Sequence, residues 1–482
     1  MLIESKRSFA RIFMKSLDFR RKGFHIPEPI DHFSKNPIFF ANLLLAWFAL
    51  CTTGHAMETG SGPLAEYVAR PDASYGWSKR QEGRIEVTNY TELTLTSQTW
   101  RGIVWKHRLF IIRPSTLRPD IGHGLLFIAG GRWEDNAEQN DLPRKVHWLA
   151  GVAEQLRSHL VVLFNVPRQP MFGDRYEDEI VSLTFHEYLE TGDAEWPLLL
   201  PMVKSAVRAM DAAGQYAHEA WHSTIDTYTA TGVSKRGWTT WLLGAVDPRV
   251  TAIAPMAIDV LNMPRQMDHQ RRAWGDVSYK IGDYTERGLV DRIKTPKGKA
   301  LLSIVDPYHY RHLSKRPKLI VIGTNDHYWP LDALNLYWDD LAGDKYILYV
   351  PNNQHDLEDS SRLIGSLGAL HRHAATGRPL PKLSWEFTMG DGGLSLRMNS
   401  DLPTHEVRVW VATSPGRDFR KARWDSFPAR RHGGRSVYEL TVPSTGFAAM
   451  FGEAEYHGDS LPYYLSTNVR VVGSKPVGNE TP

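Results

Sequence analysis

Cysteine is nearly missing from this chain: the only one in 482 residues is Cys51. That excludes an intrachain disulfide, a four-cysteine zinc site and a cysteine nucleophile supported by later sequence. Net charge is scarce as well, +3 from 57 basic and 54 acidic residues. Much of the excess sits in the first segment, at Lys6, Arg7, Arg11, Lys15, Arg20, Arg21 and Lys22. A nucleic-acid partner calls for concentrated basic patches, so none is expected. No P-loop is present, and His309 and His312 lack compact ligand spacing. No metal, nucleotide or other cofactor is therefore expected. There is no internal repeat at solenoid period and no low-complexity tract.

What is present is an ordinary globular composition, 42% hydrophobic and 23% charged. Without disulfides, a large core must supply the stability, and the length suggests two packed units. The amino terminus reads as a targeting segment. A basic stretch precedes an apolar run over residues 38–50, about the length of a signal h-region and short for a membrane span. Gly54 and Ala56 then offer small residues where a signal peptidase reads. A cleaved export signal is the leading reading of residues 1–56, with an uncleaved anchor or a buried helix as alternatives. Contact with a membrane is expected only through this segment, if it is uncleaved, and the expected location is periplasmic or secreted. The leader before the apolar run is long, which makes Met14 an alternative start. Cys51 hints at a lipoprotein, against which Leu50 is bulky. Arg20-Arg21 hints at twin-arginine export, but prolines intervene.

From about Arg84 apolar runs alternate with amphipathic stretches, the rhythm of parallel α/β proteins. Strands are predicted over 93–97, 104–112, 124–129, 159–165, 225–231, 250–258, 318–323 and 345–350. Helical spacing covers 146–156, 198–213 and 238–245. Residues from about 259 to 316 are charged and aromatic-rich without sheet rhythm, and read as a helical lid inserted above a site. The texture changes near 374–381. Beyond it, short alternating segments at 406–411, 437–442 and 464–471 lie between Gly, Pro and Asp clusters, the pattern of an antiparallel sandwich. The domains expected are 57–376, α/β with the insertion, and 377–482, β-sandwich-like.

The segment Thr231-Gly-Val-Ser-Lys-Arg-Gly-Trp238 joins a predicted strand to a predicted helix. A nucleophile elbow needs that context, a tight turn that lifts a serine oxygen clear of the backbone. Ser234 would be the nucleophile. The backbone N–H of Lys235 and the helix N-terminus would face the developing oxyanion. The usual spacing is G-x-S-x-G, whereas here Arg236 holds the second place after serine and glycine follows at Gly237. A G-x-S-x-x-G turn of this sort resembles the elbow of glucuronoyl esterases. The plainer alternative is a helix N-cap serine followed by basic residues.

Two later loops complete the set. The strand at 318–323 leads to Asp326 and the strand at 345–350 leads to His355, in the order serine, acid, histidine that the α/β-hydrolase fold requires. An imidazole can take the serine proton and return it to a leaving group, while a carboxylate fixes its tautomer. Asp259, at the end of the strand before the insertion, is the alternative acid. His327, His309 and His312 lack the strand-end position, and Asp332 reads as a helix cap. The second oxyanion donor should come from the loop at Gly130-Gly131-Arg132-Trp133, with Gly131 and Arg132 joining Lys235. Trp133, Trp329 and Trp238 are candidate pocket walls, although Trp238 and Trp241 at helical spacing also suit the core. Lys235, Arg236, Arg132 and Arg168 admit an anionic substrate, with solvated or structural roles as the commoner alternative.

The elbow, with Val246-Asp-Pro-Arg-Val250, Ile258-Asp-Val-Leu-Asn262, Gly323-Thr-Asn-Asp-His-Tyr-Trp329 and Pro351-Asn-Asn-Gln-His355, resembles the PhoPQ-activated pathogenicity-related protein family. The resemblance spans about residues 64–472. It implies an α/β-hydrolase fold with a mostly parallel sheet, and often export. Members named autocrine proliferation repressors occur in eukaryotes. The family name records regulation and virulence and supplies no substrate. Ser234, Asp326 and His355 fall on the motif positions that would carry a triad. The expected function is an exported serine hydrolase, esterase or peptidase, acting on a small-molecule or peptide substrate through an acyl-enzyme. The alternative is a non-catalytic secreted binding or signalling protein on a hydrolase scaffold.

Overall fold

A computed structural model of the chain describes residues 62–118, 122–133, 141–391 and 393–474. The expected targeting segment, 1–56, lies outside them. No described helix is long and apolar enough to cross a membrane.

Nine strands build the body: β1 (Gly76–Ile85), β2 (Thr88–Trp100), β3 (Ile103–Arg113), β4 (His123–Ile128), β5 (Leu160–Leu163), β6 (Thr227–Val233), β7 (Val250–Met256), β8 (Lys318–Gly323) and β9 (Lys345–Val350). Their order across the sheet is β1-β2-β3-β5-β4-β6-β7-β8-β9. The pairs from β1 to β5 are antiparallel, and from β5 through β4 to β9 every pair is parallel. Every residue of β4, β5 and β8 is buried. Such continuous apolar runs form where helices cover both faces of a parallel sheet. The two early predicted strands, 93–97 and 104–112, prove to be the middles of the long β2 and β3, joined by a third antiparallel strand, β1.

The helices are α1 (Pro63–Ala69), α2 (Arg144–Leu156), α3 (Glu177–Thr191), α4 (Leu199–Trp221), α5 (Lys235–Val246), α6 (Met263–Trp274), α7 (Pro296–Val305) and α8 (Ser360–Thr376), besides single turns at Gly282–Thr285 and Leu289–Arg292. α6, these turns and α7 all fall between β7 and β8, so the segment 259–316 is helical. α4 runs eight residues beyond the predicted 213, closed by His222 in the left-handed conformation.

Past α8 come β10 (Leu383–Gly390), β11 (Gly393–Ser400), β12 (Glu406–Ser414), β13 (Asp425–Pro428), β14 (Arg430–His432), β15 (Arg435–Leu440), β16 (Gly446–Tyr456), β17 (Tyr463–Ser466) and β18 (Arg470–Ser474). β10, β11, β15 and β14 make a separate four-stranded antiparallel sheet. It packs Leu394, Leu396 and Met398 against Val409, Ala448 and Met450 of the other sheet, the two-layer arrangement of a sandwich. That second layer is not separate, because β17 pairs with β9 at Ser466 and Ile347 and carries the central sheet onward into β16, β12 and β13. The predicted strand 464–471 is two strands, β17 and β18, both on β16. They part at Thr467, whose N–H donates to the Gly452 carbonyl while its hydroxyl accepts from the Gly452 N–H.

Candidate active site

Ser234 sits between β6 and α5 with φ 61° and ψ −129°. A non-glycine residue there is strained by about 1–3 kcal/mol, and the turn has to be held from outside. Two glycines make it possible. A Cβ on Gly232 would meet the backbone of Arg236 at 2.7 Å, and one on Gly237 would meet Ile258 at 2.7 Å and the Gly232 and Met256 carbonyls at 2.9 Å. The glycine that arrives one place late is thus where α5 crosses closest to β6 and β7. The Ser234 N–H donates to the Met256 carbonyl at 2.9 Å, tying the turn to β7. The Lys235 N–H, at the first position of α5, has no acceptor within the helix, as every first-turn N–H lacks one.

Arg236 accounts for the departure from the usual spacing. Its guanidinium lies over Gly130, where a Cβ would come within 2.5 Å of it, and donates to the Val166 carbonyl at 2.5 Å. Two further bonds of 2.7 Å reach both oxygens of Glu177 at the start of α3. Lys235 joins them, its ammonium 2.7 Å from Glu177 and 3.4 Å from Asp178. Burial pushes the Glu177 carboxyl up, but hydrogen bonds and charge from Arg236, then Lys235, outweigh it and hold the group well below the usual range. Both cations are therefore committed to carboxylates. Sequence reading missed Glu177 and Asp178, because acidic residues opening a helix are common and their partners lie more than fifty residues away.

Asp326 and His355 meet on the other side. Asp326 is buried three residues past β8, and its Oδ2 lies 2.8 Å from His355 Nδ1. Its Oδ1 accepts from the Tyr328 N–H at 2.7 Å. The histidine loop passes directly over the end of β8: a Cβ on Gly323 would meet the Gln354 and Asn353 carbonyls at 2.4 and 2.5 Å. The Tyr328 ring packs on His355 with centroids 4.3 Å apart. With Nδ1 held by the carboxylate, Nε2 is the atom left to handle a proton. It is enclosed and has no hydrogen-bond partner, Ser234 included. In unliganded sites such contacts are often long and tighten with substrate.

Two asparagines fix these loops to the carboxyl-terminal part of the chain. Asn325 Nδ2 donates to the carbonyls of Phe419, Arg420 and Ala422 at 3.2, 3.3 and 2.7 Å. Asn352 exchanges two bonds with Trp424, donating to its carbonyl at 3.0 Å and accepting its N–H at 2.8 Å.

Ser234 and His355 line one cleft of about 820 Å3, counting its open mouth, with Lys235, Asp178, Trp238, Tyr328 and Trp329 among its walls. Of the tryptophans expected there, Trp238 and Trp329 are present. Trp133 is instead buried outside the cleft lining, with its backbone N–H bonded to the Gln169 carbonyl at 2.9 Å. Gly131 and Arg132 lie on the loop after β4, also outside the cleft lining. That loop is pinned by Asn165, which donates from its side chain to the Arg132 carbonyl at 2.8 Å. Gly131 has φ 141°, a conformation that favours glycine.

The alternatives have other occupations. Asp259 is buried three residues past β7, near the Tyr337 hydroxyl, with no partner in hydrogen-bonding geometry on either oxygen. Burial pushes its carboxyl up to about 7. Asp332 begins a short 3-10 turn but caps nothing with its side chain, which bonds His269 at 2.6 Å and Arg417 at 2.8 Å. His327 bonds Tyr279, while His309 and His312 are exposed in the helical segment. Among the described residues no group of three or more His, Cys, Asp or Glu could hold a metal ion.

The strand order, with β4 and β5 exchanged and a strained serine between β6 and α5, is that of the α/β-hydrolases. The chain belongs to the PhoPQ-activated pathogenicity-related protein family, whose profile matches residues 64–420. Autocrine proliferation repressor protein A of Dictyostelium discoideum is 30% identical over 435 residues, covering 82% of this chain and 86% of that one. Among solved structures, acetyl xylan esterase 1 of Thermoanaerobacterium is similar at 15% identity and TM-score 0.45, covering 65% of this chain and 96% of that one. A glucuronoyl esterase of Solibacter usitatus is similar at 11% identity and TM-score 0.37, covering 64% and 91%.

Proposed function

We propose that the protein is an exported serine hydrolase that cleaves an ester or amide bond through an acyl-enzyme. The observation that carries this reading is the meeting of a strained Ser234 and the Asp326-bound His355 in one cleft. In the proposed cycle Ser234 Oγ attacks the substrate carbonyl as its proton passes to His355 Nε2. Asp326 stabilises the resulting imidazolium. Lys235 N–H, with a second N–H from the loop of Gly131 and Arg132, holds the oxyanion. Collapse expels the leaving group, which takes the proton from Nε2. Water, deprotonated by the same nitrogen, then attacks the acyl-enzyme and frees the acid, returning the proton to Ser234.

Export is supported by the basic stretch and the apolar run over 38–50. Hydrolysis of p-nitrophenyl butyrate by the full mature chain, abolished in Ser234→Ala with the fold retained by circular dichroism, is the expected result. Equal turnover by that variant would overturn the assignment.

A further inference from the structure

The charges around Ser234 restrict what the cleft accepts. Two ionic side chains line it besides the catalytic histidine, Lys235 and Asp178, and they face each other. Lys235 is also bound to Glu177, and Asp178 Oδ1 accepts the Tyr284 hydroxyl at 3.1 Å. The side chain of Lys235 is only 7% exposed, so turning its ammonium to a substrate carboxylate would break both its ion pairs and leave Asp178, 19% exposed, without its cation. The remaining walls are apolar. Met267, Val290, Ile293, Leu301 and Leu302 come from the helical segment between β7 and β8, and Trp238 comes from the first turn of α5.

The cleft has a sealed side and an open side. Leu301 and Leu302 are 1% and 2% exposed, whereas the His355 side chain retains 22%. An acyl-enzyme reaction sorts its two products by these sides. The leaving group must be protonated by His355 Nε2 and depart past it, and water must enter by the same route. The acyl group stays bonded to Ser234 through both steps and needs no exit until the end. A sealed apolar chamber suits the part that stays.

Resting on the hydrolase reading above, we infer that the chamber binds an uncharged apolar acyl group, so that the substrates are esters or amides of hydrophobic carboxylic acids and not of acetate or of dicarboxylic acids. The insertion is then the specificity element, with Val290 and Leu301 setting how long an acyl chain fits.

The test measures kcat/KM of the full mature chain on p-nitrophenyl acetate, butyrate, octanoate and dodecanoate, on the hemisuccinate, and on acetates of alcohols of increasing length. Each added acyl methylene should raise kcat/KM roughly fourfold until the chamber is full. The hemisuccinate should be turned over far more slowly than the butyrate, and the acetate series should be nearly flat. Leu301→Trp, and Val290→Phe as the milder variant, should move the optimum to shorter chains. Acetate as the best acyl group, a hemisuccinate equal to butyrate, or a length dependence confined to the alcohol would each overturn the inference while turnover upholds the hydrolase. Absence of turnover together with absence of fluorophosphonate labelling would remove the hydrolase reading, and this inference with it.

Discussion

The two halves of the site are held by different forces. On the nucleophile side, one carboxylate, Glu177, binds two adjacent cations, and the Arg236 guanidinium links the elbow to the loops at Gly130 and Val166. On the acid–base side, neutral amides at Asn325 and Asn352 bind backbone groups of residues 419–424. The difference follows from where each half must not move. Ser234 is strained and half-buried at a helix N-terminus, where charge-assisted bonds of about twice ordinary strength hold the turn. Asp326 and His355 ride on loops whose own chemistry is ionic, and a second fixed charge beside them would disturb the pairing that they require.

Asp326→Asn should have the largest effect. Replacing the carboxylate that orients His355 lowers kcat about ten-thousandfold with KM little changed, read by steady-state kinetics. A raised KM with kcat unchanged would place Asp326 in binding instead.

Breaking the ionic half comes next. Arg236→Met should lower kcat/KM by roughly a hundredfold through a displaced elbow and cost about 1–3 kcal/mol in urea unfolding. Glu177→Gln should do the same more mildly. The sign in pH follows from the depressed Glu177 carboxyl: its stabilisation is present above the unfolded value near 4.5 and is lost as pH falls through the folded one. The Glu177→Gln difference should accordingly shrink in acid, while any loss in the amide half should stay constant.

Asp259 sharpens the contrast, since it ends the neighbouring strand as Asp326 does but has no partner. Its folded carboxyl, pushed up to about 7, binds a proton that the unfolded chain releases near 3.8. It therefore costs stability increasingly as pH rises through that window. Asp259→Asn should raise stability by about 1–2 kcal/mol at pH 8, with the gain gone near pH 4 and activity retained. A large loss of activity would make Asp259 the working acid. The smallest effect is expected from Asn352→Ala, about 1 kcal/mol and a few-fold in kcat, independent of pH.

How much of this could be read from the sequence depended on distance along the chain. The strands at 318–323 and 345–350 were legible to the residue, because an apolar run feeding a polar turn is a local signal. The order of Ser234, Asp326 and His355 was legible for the same reason; Ser234 and His355 line one cleft, and Asp326 bonds His355 from outside its lining. The Glu177–Arg236 pair and the amide contacts of Asn325 and Asn352 were not, since each joins residues 59 to 97 positions apart with no local pattern. The antiparallel strands past α8 were legible as alternation, whereas their continuity with the central sheet rests on one pairing, Ser466 with Ile347, which no periodicity marks.

The central claim is that residue 234 is a nucleophile activated from across the cleft. Mass spectrometry of the chain after brief exposure to a fluorophosphonate tests it most directly. The account predicts a single adduct on the peptide carrying Ser234, formed far more slowly in His355→Gln. An adduct elsewhere, or one formed on Ser234 at the same rate without the imidazole, would contradict it.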